Sequence, residues 1–77
     1  MKIITPDYAL MIKQARRHLS ISQEDLAREL GVSYATVNRW ENSQAKPSKL
    51  ARAQLDAFFK RMQEAGLLDN LESDQEQ

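Results

Sequence analysis

Cysteine is absent from this chain of 77 residues, and His18 is its only histidine. Disulfides and thiolate metal sites are therefore excluded, and one histidine cannot by itself form a metal site or a catalytic triad. Long apolar runs are also missing, because none approaches the ~18 residues of a membrane span, and the N-terminus lacks the apolar core of a signal peptide. We expect one cytoplasmic domain without catalytic residues, metal, cofactor or membrane contact.

Glycine and proline occur only twice each, and runs of β-branched residues are nearly absent, so the whole chain is predicted to be helical. The first helix is predicted to start with Thr5 as N-cap and Pro6 in its first turn, and to end near His18. A later helix is predicted to open at Pro47 and to stop at Gly66. Its apolar residues are Leu50, Leu55, Phe58, Phe59 and Met62. Phe58 and Phe59 are adjacent, so their side chains point ~100° apart on a helix. We therefore expect one of them to be buried and the other exposed.

Residues 22–42 are the most informative stretch and predict two short helices joined by a tight turn at Gly31. Ser22 with Asp25 three positions later is typical of a capping box, and Gly31 is typical of a left-handed helix end. The second of these helices, at about 33–42, separates its side chains into two directions on a helical wheel. We expect Ser33, Val37 and Trp40 to point inward, Ala35, Arg39 and Asn42 to point outward, and Thr36 and Asn38 to lie at the edges. This is the geometry that places a helix in the major groove of DNA.

The chain resembles the phage repressor and Cro family of helix-turn-helix proteins, also called Xre-type. The most specific part is Ser-Gln-x-x-Leu-Ala-x-x-x-Gly-Val-Ser-x-x-Thr-Val-x-x-Trp-Glu-Asn at residues 22–42, followed by Pro47. The resemblance implies an all-α, lambda-repressor-like bundle of four helices, with a short fifth helix left open. It further implies sequence-specific binding to double-stranded DNA by a small, repressor-like regulator, acting as a homodimer on a two-fold symmetric site.

The resemblance and the outward directions of the side chains together assign roles to single residues. Contacts to base edges are expected from Tyr34, Ala35, Asn38 and Arg39. Contacts to phosphates are expected from Ser22, Gln23, Thr36, Asn42, Lys46 and Lys49. An internal ion pair is expected between Arg16 and Glu41.

The chemistry behind these assignments differs from residue to residue. Arg39 suits guanine, because a guanidinium donates two parallel hydrogen bonds to O6 and N7. Gln23 lies in a first helical turn, where unpaired backbone N–H groups attract an anion. Ala35 can offer only a methyl contact to thymine, and it is equally consistent with a plain helix former. Tyr34 is consistent with DNA contact or with packing against the preceding helix.

The C-terminal end of the chain is acidic. Residues 69–77 contain four acids and no base, which leaves residues 1–68 with a net charge of +4. We interpret residues 1–68 as the helix-turn-helix domain and residues 69–77 as an acidic tail that has too few apolar side chains to fold.

Two further functions stay open. One is an antitoxin or another protein that works by contacting a partner protein. Its contact surface would consist of Leu67, Leu68, Leu71 and an exposed phenylalanine. The other is a DNA-targeting module that works with a DNA-modifying enzyme.

Overall fold

A computed structural model describes residues 7–68, and four helices account for most of them. They are α1 (Tyr8–Leu19), α2 (Gln23–Leu30), α3 (Tyr34–Glu41) and α4 (Lys49–Glu64). The described range contains no strand, which confirms the predicted all-α fold class, and no fifth helix follows α4 as far as Leu68. None of its helices is both long enough and apolar enough to cross a bilayer. The predicted tail at 69–77 lies outside the described residues.

Local capping sets the ends of α2 and the start of α3. The Ser22 hydroxyl accepts from the Asp25 N–H while the Asp25 carboxylate accepts from the Ser22 N–H, so the predicted capping box is present. Gly31 ends α2 with a φ of 73°, a conformation that glycine adopts without strain. Ser33 is exposed, so its predicted inward direction is wrong. It is the N-cap of α3, and its hydroxyl turns back to accept from the Thr36 N–H.

The first helix begins later than predicted. Thr5 and Pro6 lie outside the described residues, and α1 starts at Tyr8 with Asp7 as its N-cap. The Asp7 carboxylate accepts a hydrogen bond of 3.2 Å from the Leu10 N–H, which satisfies one of the free donors of the first turn. The Tyr8 hydroxyl donates to the Asp56 carboxylate over 2.8 Å and thereby links the start of α1 to the middle of α4.

A single apolar core lies between the four helices. α3 packs against both α1 and α2, and α2 also contacts α4. The buried apolar residues are Ile12, Ala15, Leu26, Ala27, Leu30, Val37, Trp40, Ala51, Leu55, Phe58, Phe59 and Leu68. Val37 and Trp40 therefore occupy the inward side of α3, as the helical wheel predicted. This anchoring fixes which side of α3 remains available to solvent.

Phe58 and Phe59 are both buried, so the prediction that one of them is exposed is wrong. Their rings meet edge to face with centroids 6.1 Å apart, and the Arg61 guanidinium lies 5.7 Å from the centroid of the Phe58 ring. Adjacent helical residues point ~100° apart, so the core must cover a wide arc of α4 to bury both rings. Leu68, beyond the end of α4, contributes to this cover because it is itself part of the core.

Candidate functional site

The outer side of α3 is a solvent-exposed surface that consists of Tyr34, Ala35, Arg39 and Asn42. Tyr34 keeps 51% of its surface accessible, which is a large exposure for an aromatic residue. The Arg39 side chain forms no hydrogen bond or ion pair with the other described residues. Its guanidinium therefore keeps all five N–H donors available for a ligand.

The loop after α3 adds positive charge beside this surface. Lys46 and Lys49 are exposed, and the sequence contains no acid between Glu41 and Asp56. The loop is held by backbone contacts, since the Gln44 N–H donates to the Arg39 carbonyl over 2.8 Å. Lys46 in the loop and Lys49 at the start of α4 thus place two ammonium groups in the segment that follows α3.

Beneath the exposed surface, Arg16 of α1 and Glu41 of α3 form a two-point ion pair. Arg16 Nε donates to Glu41 Oε2 over 2.5 Å, and Arg16 Nη2 donates to Oε1 over 3.0 Å. Arg16 Nη1 also donates to the Ile21 carbonyl over 3.1 Å, which ties the turn between α1 and α2 to the same group. The ion pair that the family resemblance implied is therefore present, and it connects α1, α3 and the turn between α1 and α2.

Glu41 is the only buried charged residue among those described, with 4% of its surface accessible. Burial raises the pKa of its carboxyl, but hydrogen bonds from Arg16 and Gln23, together with the charges of Arg16 and Lys13, outweigh burial and hold that pKa below its ordinary value. The hydrogen bond to Glu41 raises the pKa of Arg16. The pair is therefore fully ionised at neutral pH.

Three amide side chains extend from this ion pair to the surface. Gln23 Nε2 donates to Glu41 Oε1 over 3.0 Å, and Asn38 Nδ2 donates to Gln23 Oε1 over 3.1 Å. Asn42 Nδ2 then donates to Asn38 Oδ1 over 3.2 Å. Gln23 and Asn38 are half-buried and Asn42 is exposed, so the network leads from the core to the outer side of α3.

Two further residues with a predicted phosphate contact, Ser22 and Thr36, have hydroxyl groups that already form hydrogen bonds within the protein. The Ser22 hydroxyl is engaged in the capping box of α2. The Thr36 hydroxyl lies 2.9 Å from that of Ser33, and Thr36 is half-buried. Tyr34, Ala35, Arg39, Asn42, Lys46 and Lys49 are exposed, whereas the polar groups of Ser22, Gln23, Thr36 and Asn38 are engaged in hydrogen bonds within the protein. Asn42, although exposed, also donates to Asn38.

Sequence reasoning missed the hydrogen bond between Gln23 and Asn38. The only sequence signal is that both residues are amides at the edges of two helices joined by a short turn. Such a signal does not say whether the two side chains point toward each other or toward solvent.

Residues 7–68 contain no group of three or more histidine, aspartate and glutamate side chains that could hold a metal ion.

The predicted C-terminal contact surface is not assembled as expected. Leu68 and both phenylalanines belong to the core, so their predicted exposure is wrong, and Leu71 lies outside the described residues. Leu67 remains exposed and lines an open groove of about 270 Å³. The other lining residues are Leu19, Ile21, Glu29, Phe58 and Met62.

Comparison with known proteins bears on the same region. The profile of a helix-turn-helix family matches residues 12–53, which is more than half of the chain. The matched range contains the ion pair, the amide network, all of α2 and α3, Lys46 of the loop and Lys49 at the start of α4. Neither the curated proteins nor the solved structures compared with the chain gave a match.

Proposed function

Because the chain belongs to the Cro/C1-type, Xre-like helix-turn-helix family of DNA-binding regulators, we propose that it recognises a specific sequence in double-stranded DNA by inserting α3 into the major groove. The observation that supports this most strongly is Arg39. It lies on the exposed side of α3, opposite the buried Val37 and Trp40, and its guanidinium has no partner among the described residues. An arginine in this position can donate two hydrogen bonds to one guanine.

Tyr34 and Ala35 complete the proposed base-reading surface at the first turn of α3. The Ala35 side chain is exposed and offers a methyl group, which suits the C5-methyl of thymine. The Tyr34 ring is half accessible and can pack on the same kind of methyl or donate its hydroxyl to a phosphate. The Arg39 guanidinium and the Ala35 methyl together predict a short half-site that contains guanine and thymine.

Phosphate contacts are proposed on both sides of α3. Asn42 at the end of α3, Lys46 in the loop and Lys49 at the start of α4 are exposed, and the two ammonium groups would replace counterions of the DNA backbone. Gln23 lies in the first turn of α2, where backbone N–H groups face an approaching anion. Ser22 at the start of α2 and Thr36 in the first turn of α3 are proposed to contact phosphate mainly through backbone N–H groups. Their hydroxyls already form hydrogen bonds within the protein.

The protein is proposed to act as a homodimeric repressor. A single helix contacts only a few base pairs, so two copies on a two-fold symmetric site are needed for a useful specificity. The two half-sites would then lie one helical turn of DNA apart, with centres separated by about 34–36 Å. The alternative function through a partner protein has less support, because Leu67 is the only residue of its predicted surface that is exposed among those described.

Selection from a random library of DNA duplexes tests this proposal. Purified protein is expected to enrich one short motif that occurs twice with two-fold symmetry. The selected duplex should compete for binding at least 10³-fold better than unselected DNA of equal length at physiological salt. Enrichment of no common motif over repeated rounds would contradict sequence-specific binding, and enrichment of a single half-site would contradict the dimer.

A further inference from the structure

Asn38 has a position that its predicted role as a base reader does not explain. Its side chain is half-buried, and both ends of its amide are used within the protein. Nδ2 donates to Gln23 on α2, and Oδ1 accepts from Asn42 at the end of α3. A group that is held in this way from two directions cannot turn its oxygen toward a base edge, and its one unused N–H, on Nδ2, belongs to a half-buried side chain.

The direction of every hydrogen bond in this network follows from Glu41. Its ionised carboxylate can only accept, so Gln23 must present its amide nitrogen and not its oxygen. The Gln23 oxygen then faces the opposite way and requires a donor, which Asn38 Nδ2 supplies. Asn38 Oδ1 is left to accept from Asn42. No other assignment of amide nitrogens and oxygens satisfies all three contacts, so the orientations are determined by hydrogen-bond chemistry.

These orientations leave defined donors for a ligand. Gln23 Nε2 carries a second N–H that Glu41 does not use, and Asn42 Nδ2 carries a second N–H that Asn38 does not use. With Gln23 held only at its nitrogen, the amide plane could turn about the hydrogen bond between Nε2 and Glu41 Oε1. The additional bond from Asn38 to the Gln23 oxygen fixes the amide plane and therefore the direction of the free N–H.

We propose that Asn38 is a positioning residue for DNA binding, which holds the Gln23 and Asn42 amides so that each directs its free N–H toward a backbone phosphate. Asn38 itself contacts no base. This inference rests on the proposed function, and it adds a prediction that DNA binding alone does not make. Loss of the Asn38 amide weakens binding to all duplexes by the same factor, because phosphates carry no sequence information.

The test compares Asn38→Ala, Gln23→Ala and the double variant in DNA-binding titrations on the selected duplex and on unselected DNA. Each single variant is expected to lose about three- to tenfold in affinity on both duplexes, which is the value of a hydrogen bond. The double variant is expected to lose less than the product of the two single effects, because Asn38 acts through Gln23. A selection repeated with Asn38→Ala is expected to return the same motif. Gln54→Ala, which removes an exposed amide from α4, is the matched control and is expected to bind like the wild type.

Two results would overturn the inference while leaving the proposed function intact. One is a relaxed preference at a single base pair in the Asn38→Ala selection, since that would show direct base contact. The other is full multiplication of the two single losses in the double variant. If Asn38→Ala melts below the assay temperature, Asn38→Ser, which retains a hydroxyl donor, is compared with Gln23→Ala instead. A wild-type protein that selects no motif would overturn the proposed function and this inference together.

Discussion

Arg16 and Glu41 connect the last turn of α1 to the last residue of α3 through two hydrogen bonds, of 2.5 and 3.0 Å. Glu41 is almost inaccessible to solvent, whereas 23% of the Arg16 side chain is accessible. The exposed Asn42 follows Glu41 directly in sequence. The orientation of the proposed DNA-reading helix is therefore tied to α1 by a charge pair beneath it.

Removing the Glu41 carboxylate is expected to destabilise the fold. Glu41→Ala leaves the donors of Arg16 and Gln23 without their acceptor, which should cost about 1–3 kcal/mol in the free energy of unfolding. Glu29→Ala on the exposed side of α2 is the control and should change that free energy by less than about 0.5 kcal/mol. Urea titrations of both variants measure the difference. Equal midpoints for the two variants would show that the ion pair contributes nothing to stability.

Acidification is expected to remove the same contribution. The pKa of Glu41 is lower in the folded chain than in the unfolded chain, where it lies near the ordinary ~4.3. The stabilisation is thus fully present above about pH 4.3 and is lost as the pH falls through the folded pKa. Asp25, whose pKa is lowered by hydrogen bonds from Ser22, changes stability in the same direction.

Melting temperatures of the wild type and of Glu41→Gln, measured between pH 7 and pH 3, separate the contribution of the Glu41 carboxyl to stability from that of the Asp25 carboxyl. Glu41→Gln retains the Asp25 contribution but not that of Glu41. Its melting temperature should therefore fall less steeply than that of the wild type. Parallel curves for the two proteins would contradict a lowered pKa of Glu41.

Ser43 offers a way to stabilise the turn after α3. It has a φ of 59°, in the left-handed region that costs a non-glycine residue roughly 1–2 kcal/mol. Ser43→Gly removes this strain, while the greater freedom of glycine in the unfolded chain offsets part of the gain. We expect a net stabilisation of about 0.5–1 kcal/mol in thermal or urea unfolding.

The control for that substitution is Ser48→Gly. Ser48 has a φ of −66° and caps α4, so glycine relieves no strain there and a capping hydrogen bond is lost. Its stability should fall by a few tenths of a kcal/mol. Stabilisation by both substitutions, or by neither, would show that backbone strain at Ser43 is not what limits stability.

The parts of the fold that the sequence predicted well depend on neighbours along the chain. The capping pair Ser22 and Asp25 and the turn at Gly31 are decided within a few residues, and the structure has them as predicted. The start of α1 was misplaced because Thr5 and Asp7 are both good N-caps close together, and sequence alone does not rank them. The burial of both Phe58 and Phe59 depends on how far the rest of the core extends around α4, which no local pattern reveals.

In the candidate site, too, the features set by neighbours along the chain were predictable, and those set by contacts between helices were not. Helical periodicity placed Ala35 and Arg39 outside and Trp40 inside, as the structure has them. The contact between Gln23 and Asn38 depends on side-chain conformations across two helices, so it required the structure. This contact changes the proposed role of Asn38 from reading a base to positioning its neighbours.

The central claim, that α3 recognises base sequence through Arg39, is tested most directly by the binding preferences of Arg39→Ala. The affinity of this variant for the selected duplex should fall by roughly 1–3 kcal/mol, and the preference for guanine at one position of each half-site should disappear. The measurement is a titration against the selected duplex and its single-base variants, with Arg17→Ala, which removes an exposed arginine from α1, as the matched control. An equal loss on every duplex would mean that Arg39 contacts only phosphate, and no loss at all would contradict the placement of α3 in the groove.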